Sequence, residues 1–439
     1  MELPEQFSGD GIKDHPVPAS FNQESRIASH PSMRGSGSLS PRWYAIAVEF
    51  PHALDEVVLQ AALKEFVIRH EGLLSGFRVS RGLHRFVVDG THVSVERNHV
   101  GVFECRESML SALKAVFDAH TDPLAWPAYT FGVALDDECA TLFMAFDHSV
   151  TDLHSLALAA GEIRELYGAG LASKERSLPA AGSFLDFCVE ERQVPQDRIG
   201  SAVSRWRDFA EAAGGHLPRF PLDLGLSPEE GDVPLLAEET DLCSADAADR
   251  FEARCRSVGG GTFAGLLAAL GVASGAAGVR PQMLRLMAPY QTRNPAMKST
   301  FGWFVNAVPL EFRIDGELSF DELVRRAHTA VKAAFHHVDV PFGLIERQMP
   351  PHLVEQAGSW VSYLDYRPYE KSGRHAATNA QILTNPRRGQ ELDLWMSRTM
   401  KGVAVHARYP DNRVARDNVR EYLRRFSACI DEVAADVRL

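Results

Sequence analysis

The chain has 439 residues, of which 45% are hydrophobic and 24% charged, a composition that supports a large buried core and leaves room for two domains of ordinary size. Its 46 Lys and Arg against 58 Asp and Glu give a net charge of −12, and no long basic stripe is present, which argues against a general nucleic-acid binder. The six cysteines are far apart with no CxxC spacing, and the start MELPEQFSGDGIKDHPVP is polar and acidic. Reduced thiols and no signal peptide are therefore expected, as in a cytoplasmic protein.

Residues 1–40 are rich in Pro, Gly and Ser and are expected to form a loose arm that partly docks on the body. A strand is predicted near Trp43–Phe50. Asp55 then caps a helix with the apolar stripe Val58 or Leu59, Ala62 or Leu63, Phe66 and Val67. That helix ends in the charged turn Arg69-His70-Glu71. Strands alternate from Phe77 to about Val95, and Ser108–His120 has helical spacing. Tyr129–Leu135 and Thr141–Phe146 are strand-like runs around a hairpin turn at Asp136-Asp137.

The second run opens the stretch on which the reading turns, TLFMAFDHSVTDLHSL. The apolar residues Leu142–Phe146 suit a buried strand. They stop on Asp147 and His148, and after Asp152 an amphipathic helix begins with Leu156, Ala160, Ile163 and Tyr167 on one stripe. His148 and Asp152 thus lie on a strand-to-helix turn, where a histidine is placed to move protons near neutral pH. Three readings of His148 stand side by side: a hydrogen-bonded structural residue, a metal ligand with Asp152, and a base. The metal reading lacks any further ligand cluster.

Asp147-His148-Ser149-Val150-Thr151-Asp152-Leu153 resembles the HHxxxDG motif of the condensation-domain superfamily. That superfamily includes the condensation domains of nonribosomal peptide synthetases, polyketide-associated-protein acyltransferases and, more distantly, chloramphenicol acetyltransferase. His148 matches the second, catalytic His and Asp152 the Asp, whereas Asp147 replaces the first His and Leu153 the Gly. The resemblance extends on both sides. Phe21–Ile27 is similar to a segment near the start of the acyltransferase members, and Arg69–Phe77 looks like the RHExLRxxF signature that closes their first helix.

Farther on, Gly182–Arg192 and Ala202–Ala213 read as helices, and Gly214–Pro234, with four Pro and four Gly, marks a boundary. The expected organisation is an N-terminal subdomain at 1–200 carrying the HxxxD motif, a linker at 201–235 and a C-terminal subdomain at 236–439. Gly259-Gly260-Gly261-Thr262 lacks the GK[ST] of a phosphate loop and instead is similar to the Gly-Thr before an Ala-rich helix in the superfamily. The uncharged run Ser257–Val279 is too poor in large apolar residues for a membrane span and is read as a core helix. A strand at Leu284–Pro289 is followed by Arg293 and by Phe301-Gly302-Trp303-Phe304-Val305-Asn306-Ala307-Val308-Pro309-Leu310. This block looks like the R…GxFVNTLPLR block of condensation domains, the most specific match in the chain. Ser319 and Glu322 form a capping box. His336-His337-Val338-Asp339-Val340-Pro341-Phe342 is similar to the family's xxDVPFexLv segment, and its His pair reads as polar surface. A strand at Val361–Tyr366, loop at 366–390, a strand at Val403–Tyr409 and a terminal helix from Asp411 to Val433 complete the chain.

The resemblance implies an α/β (α+β) fold of two chloramphenicol-acetyltransferase-like subdomains in a V-shaped pseudo-dimer with a tunnel at their interface. It implies acyl transfer from a thioester to an amine or hydroxyl, with His148 as catalytic base. Asp152 pairs with Arg293 in the family and supports the site, an alternative being that Asp152 merely caps the following helix. Asp147, if close, adds a charge that favours the protonated imidazole. Leu153 stands where the family Gly allows a backbone angle that Leu adopts at a cost. Trp303 and Asn306 are candidate tunnel residues, and Ser362 is a candidate oxyanion donor. No permanently bound cofactor and no metal are implied. Acyl-coenzyme A or a phosphopantetheine thioester would be a substrate, with a small-molecule acceptor and a carrier protein as partners of a monomeric chain. The competing reading is a non-catalytic condensation-like scaffold that binds a carrier protein or partner enzyme, which the substitutions at 147 and 153 favour and the retained His148, Asp152 and Arg293 oppose.

Overall fold

The computed structural model describes residues 11–28, 30, 43–51, 54–136, 139–227, 231–276, 282–316, 318–354, 358–367, 381–384 and 388–435. The chain divides into two units. One comprises Met1–Val194, Thr292–Val305 and Tyr369–Asn385, the other Pro195–Gln291, Asn306–Pro368 and Pro386–Leu439.

The first unit is built on an antiparallel sheet of order β11-β2-β6-β5, formed by β2 (Trp43–Pro51), β5 (Tyr129–Leu135), β6 (Cys139–Asp147) and β11 (Gln381–Thr384). β6 lies inside this sheet because its apolar run can be buried on both faces. Leu142, Met144 and Phe146 join a core with Leu59, Phe66, Leu156 and Ile163 from the helices Glu56–Arg69 and Leu153–Ala172. Phe143 and Ala145 join another with Trp43 and with Phe117 of the helix Arg106–His120. The register pairs Trp43 with Asp147 and Tyr44 with Phe146, so β2 begins alongside the turn that carries His148.

A second sheet of order β1-β4-β3 contains β1 (Ile12–His15), β3 (Ser75–Val79) and β4 (Leu83–Val88). The segment 11–28 is therefore not loose. β1 pairs antiparallel with β4, and the helix Phe21–Ala28 buries Phe21, Gln23, Arg26 and Ile27. The polar members of that set are held by partners inside the unit, which a composition count does not register.

The second unit holds a five-stranded sheet of order β10-β13-β14-β7-β12, with β7 (Val233–Ser244), β10 (Val361–Asp365), β12 (Arg388–Gly389), β13 (Asp393–Thr399) and β14 (Gly402–Pro410). β8 (Met283–Gln291) and β9 (Val305–Arg313) form a two-stranded ribbon, and a parallel bridge from Met287 to Trp360 ties β8 to the segment entering β10. Pro309 is accommodated in that ribbon, where a strand has an unpaired edge. The helices Ala245–Ser257, Thr262–Ala276, Phe320–Ala334 and Arg413–Ala434 share one core with this sheet. Thr262–Ala276 is the small-residue run, and its Leu266 to Leu270 are fully buried. Among the described residues no single helix is long and apolar enough to cross a membrane.

Several boundaries differ from the sequence reading. The units meet in the chain at Val194 and Pro195, and the stretch read as linker begins inside a helix, Gln196–Ala212, that buries Trp206 and Phe209. Residues 381–384 and 388–389, read as loop, are strands, because backbone pairing with β2 and β7 overrides a turn-rich composition. The rest of that loop at 368–380 and 385–387, Asp137 of the hairpin turn and the end of the small-residue run at 277–279 lie outside the described residues. All six cysteines are free, with Cys188, Cys255 and Cys429 buried and Cys105 exposed.

Candidate active site

The site grows from the end of β6. The strand leaves the sheet at Asp147, a turn carries His148, Ser149 and Val150, and the helix Leu153–Ala172 begins after its cap Asp152. His148 Nδ1 lies 2.9 Å from the Thr151 carbonyl oxygen. A carbonyl can only accept, so Nδ1 carries the proton and the lone pair of the neutral ring is on Nε2. The Trp303 indole stacks on the imidazole, with centroids 4.0 Å apart and planes at 25°. Tyr44 of β2 meets it edge-on at 4.6 Å and 79°. The half-buried ring is thus held through a ring nitrogen, a face and an edge.

Asp152 has both roles considered for it. Oδ1 accepts from the Ser155 N–H at 2.7 Å, which caps the helix. Oδ2 and Oδ1 accept from Arg293 Nη1 and Nη2 at 2.6 and 3.0 Å, a bidentate pair in which the side chains are 4% and 2% exposed for Arg and Asp. Oδ2 also accepts from the Phe304 N–H at 3.0 Å. Burial pushes this carboxyl up, but Arg293 and the Ser155 N–H outweigh it and hold it below the usual carboxylate range.

Ser155, unnoticed in the sequence, is the hub of this cluster. Its Oγ accepts from Arg293 Nη2 at 2.6 Å and from the Gly302 N–H at 3.0 Å, and donates to the Gly302 carbonyl at 2.8 Å. Position 302 has no room for a side chain, since a Cβ there would come within 2.4 Å of Phe184. The segment that presents Trp303 to His148 is thus fastened at Gly302 and Phe304.

The two departures from the motif resolve differently from expectation. Asp147 is not an unscreened anion beside the base. It is fully buried, its Oδ2 accepts from Arg26 Nη2 at 2.7 Å and its Oδ1 from the Ser149 N–H at 2.8 Å. Leu153 adopts no costly angle. It opens the helix, and the non-glycine residues with positive φ among those described are Arg81 and Ser173. An N1 position asks nothing of its residue that Leu lacks.

His70 caps the helix Glu56–Arg69, and Glu71 opens the short helical turn that follows. His70 Nδ1 accepts from the Phe301 N–H at 3.3 Å, so the 2.7 Å contact of Nε2 with Glu162 is a donated hydrogen bond. This relay ties the helix Glu56–Arg69 to the helix Leu153–Ala172 and to the Phe301–Phe304 segment, all within the first unit.

Asn306 and Ser362 belong to the second unit. Asn306 donates to the Val338 and Val340 carbonyls at 2.8 and 2.7 Å and accepts from the Ala307 and Phe342 N–H groups at 2.9 and 2.7 Å. Its amide is spent on fastening the Asp339-Val340-Pro341-Phe342 turn, which makes it a staple where a tunnel residue was expected. Ser362 lies on β10, half-buried and opposite Trp395 of β13. His336 is exposed, as expected, and His337 is 2.9 Å from Ser201 Oγ. Among the described residues no group of His, Cys, Asp and Glu is arranged to hold a metal ion.

The condensation-domain family model matches residues 40–438. The chain belongs to the condensation-domain family. Acyltransferase PapA3 of Mycobacterium tuberculosis is 25% identical over 431 residues, covering 95% of this chain and 89% of that protein. The 2'-acyl-2-O-sulfo-trehalose (hydroxy)phthioceranyltransferase PapA1 of Mycobacterium bovis is 26% identical over 422 residues, covering 93% of this chain and 80% of that protein. Among solved structures, a PapA2 acyl transferase superimposes with a TM-score of 0.85 at 22% identity, covering 96% of this chain and 93% of the other, so the condensation fold is shared. The expected enzyme class, an acyltransferase of condensation type, is borne out by the family and these relatives.

Proposed function

We propose that the protein transfers an acyl group from a thioester, carried by coenzyme A or by the phosphopantetheine of a carrier protein, to a hydroxyl or amine acceptor in lipid or natural-product biosynthesis. The observation that carries this reading is the hydrogen bond from His148 Nδ1 to Thr151, which leaves the lone pair on Nε2. Nε2 takes the proton of the attacking O–H or N–H as the new C–O or C–N bond forms. The C–S bond then breaks and the imidazolium returns that proton to the thiolate. Base assistance of this kind is worth about 10²–10⁴ in rate. Trp303 offers a π face to the imidazolium that forms. The Asp152–Arg293 pair keeps the turn rigid, and the backbone N–H groups of Asp152 and Leu153, at the head of the helix, are the oxyanion donors of this scheme. Because PapA1 is named for a sulfated trehalose acceptor, a sugar hydroxyl and an ester product are favoured over an amine and an amide.

The test is thiol release and product mass with palmitoyl-coenzyme A or an acylated carrier protein against a panel of sugars, alcohols and amines. His148→Ala is expected to lose about 10²–10⁴ of kcat while the melting curve stays in place. Turnover indifferent to that change rejects His148 as the base. Donor binding with no turnover by the unaltered protein identifies a binding scaffold instead.

A further inference from the structure

We propose that Arg26 is a positioning residue for His148, acting through Asp147, so that the helix Phe21–Ala28 is a working part of the acyl-transfer site. This rests on His148 being the base, as proposed above.

The argument begins with where Asp147 sits. It is the residue before the base, and its carboxylate bridges Arg26 on one side and the Ser149 N–H on the other. One side chain therefore fixes the backbone on both flanks of His148. Gln23, one helical turn before Arg26, adds a second tie: its Nε2 donates to the Ser149 carbonyl at 2.9 Å. The Val150 N–H closes the turn onto the Asp147 carbonyl at 3.0 Å. The base is thus mounted on a turn whose outer contacts come from the helix Phe21–Ala28.

That helix is itself well fastened. Gln23 Oε1 accepts from the Ser20 N–H and from Arg85 Nη2, each at 3.0 Å, and Glu191 accepts from the Phe21 N–H at 2.7 Å. Arg26 and Asp147 are 2% and 0% exposed.

The motif departs from the family at Asp147, and an acid in place of the first His is tolerable in a sealed position because Arg26 is there to meet it. Loss of Arg26 frees the turn and lets the imidazole drift, and a misplacement of about 1 Å costs about 10²-fold in rate.

The test uses the full chain carrying Arg26→Gln, and Arg26→Gln with Asp147→Asn, which removes both charges and keeps a neutral pair. The deciding readout needs no substrate: the ¹⁵N-resolved Nδ1–H signal of His148, assigned by its disappearance in His148→Ala. Arg26→Gln is expected to shift or broaden that signal and, with palmitoyl-coenzyme A as donor, to lower kcat about 10²-fold with KM for the donor within about twofold. The double variant is expected to regain at least about tenfold of kcat and most of the signal. A folded Arg26→Gln protein with the signal unmoved overturns the proposal, whatever its turnover. If Arg26→Gln does not fold, Arg26→Lys, which keeps the charge but not the fork, is read in the same way. An active His148→Ala protein defeats the base reading alone, because the ring signal still reports whether Arg26 holds the turn.

Discussion

Replacing Arg293 by Ala tests the support of the site most directly. The Asp152 carboxylate accepts from the Ser155 and Phe304 N–H groups and twice from Arg293, in a pair whose side chains are 4% and 2% exposed. Arg293→Ala takes the bidentate guanidinium away from that buried carboxylate, a change that costs about 3–5 kcal/mol. It also removes a donor to Ser155 and a guanidinium lying 4.3 Å over the Phe304 ring. At about 2–4 °C per kcal/mol for a unit of 150–250 residues, the melting temperature should fall by about 6–20 °C. Arg293→Lys, which keeps charge without the bidentate fork, should lose less. The deficit has a pH signature. Asp152 is held below the ordinary carboxylate range, so its contribution is present above about pH 4 and is lost as pH falls through the folded value. Melting curves of both proteins from pH 7 down to pH 3 should therefore converge in acid. An Arg293→Ala protein melting within about 2 °C of wild type at pH 7 refutes the reasoning, because a sealed carboxylate cannot lose a bidentate cation so cheaply.

Glu191 gives a pH prediction of opposite sign. Burial pushes its carboxyl up to about 8, against the lowering effect of the Phe21 N–H. Its favourable contribution is full below the unfolded value of about 4.3 and is lost as pH rises to about 8. Glu191→Gln, which keeps an acceptor for Phe21, should melt higher than wild type at pH 9 and level with it near pH 4; a pH-independent difference counts against the assignment. Asn306→Ala strips partners from two carbonyls and two N–H groups around Val338–Phe342, and should cost at least about 2 kcal/mol in urea unfolding of the second unit. A smaller cost means that water replaces the amide.

The sequence made the chemistry of the site more legible than its mounting. The apolar run Leu142–Phe146 has the length and composition of a buried strand, so the position of His148 at its end followed from pattern. The Asp152–Arg293 pair came from the family resemblance and is present, together with the helix cap that was its competitor. Arg26 was out of reach because it stands 121 residues from Asp147. No periodicity links such positions, and an Asp beside a His reads naturally as a titrating pair. Ser155 was hidden for a similar reason: a serine in the first turn of a helix looks like ordinary capping chemistry, and only the approach of Gly302 makes it a hub. The resemblance of the 301–310 block singled out Asn306 but could not tell what covers it. The Val338–Phe342 backbone does, and it uses up the amide.

The first unit takes its edge strand from residues 381–384 and the partner of Asp152 from 292–305. A polypeptide leaving the ribosome at about 5–20 residues per second reaches Val194 roughly 5–20 s before residues 292–305 exist and roughly 10–40 s before residues 381–384 do. During that interval the nascent N-terminal half carries Asp152 without its arginine and β2 with an open flank. A gene fragment cut near residue 200 would be held permanently in that condition, so dissecting this enzyme requires nicking or tethering strategies that keep both late segments.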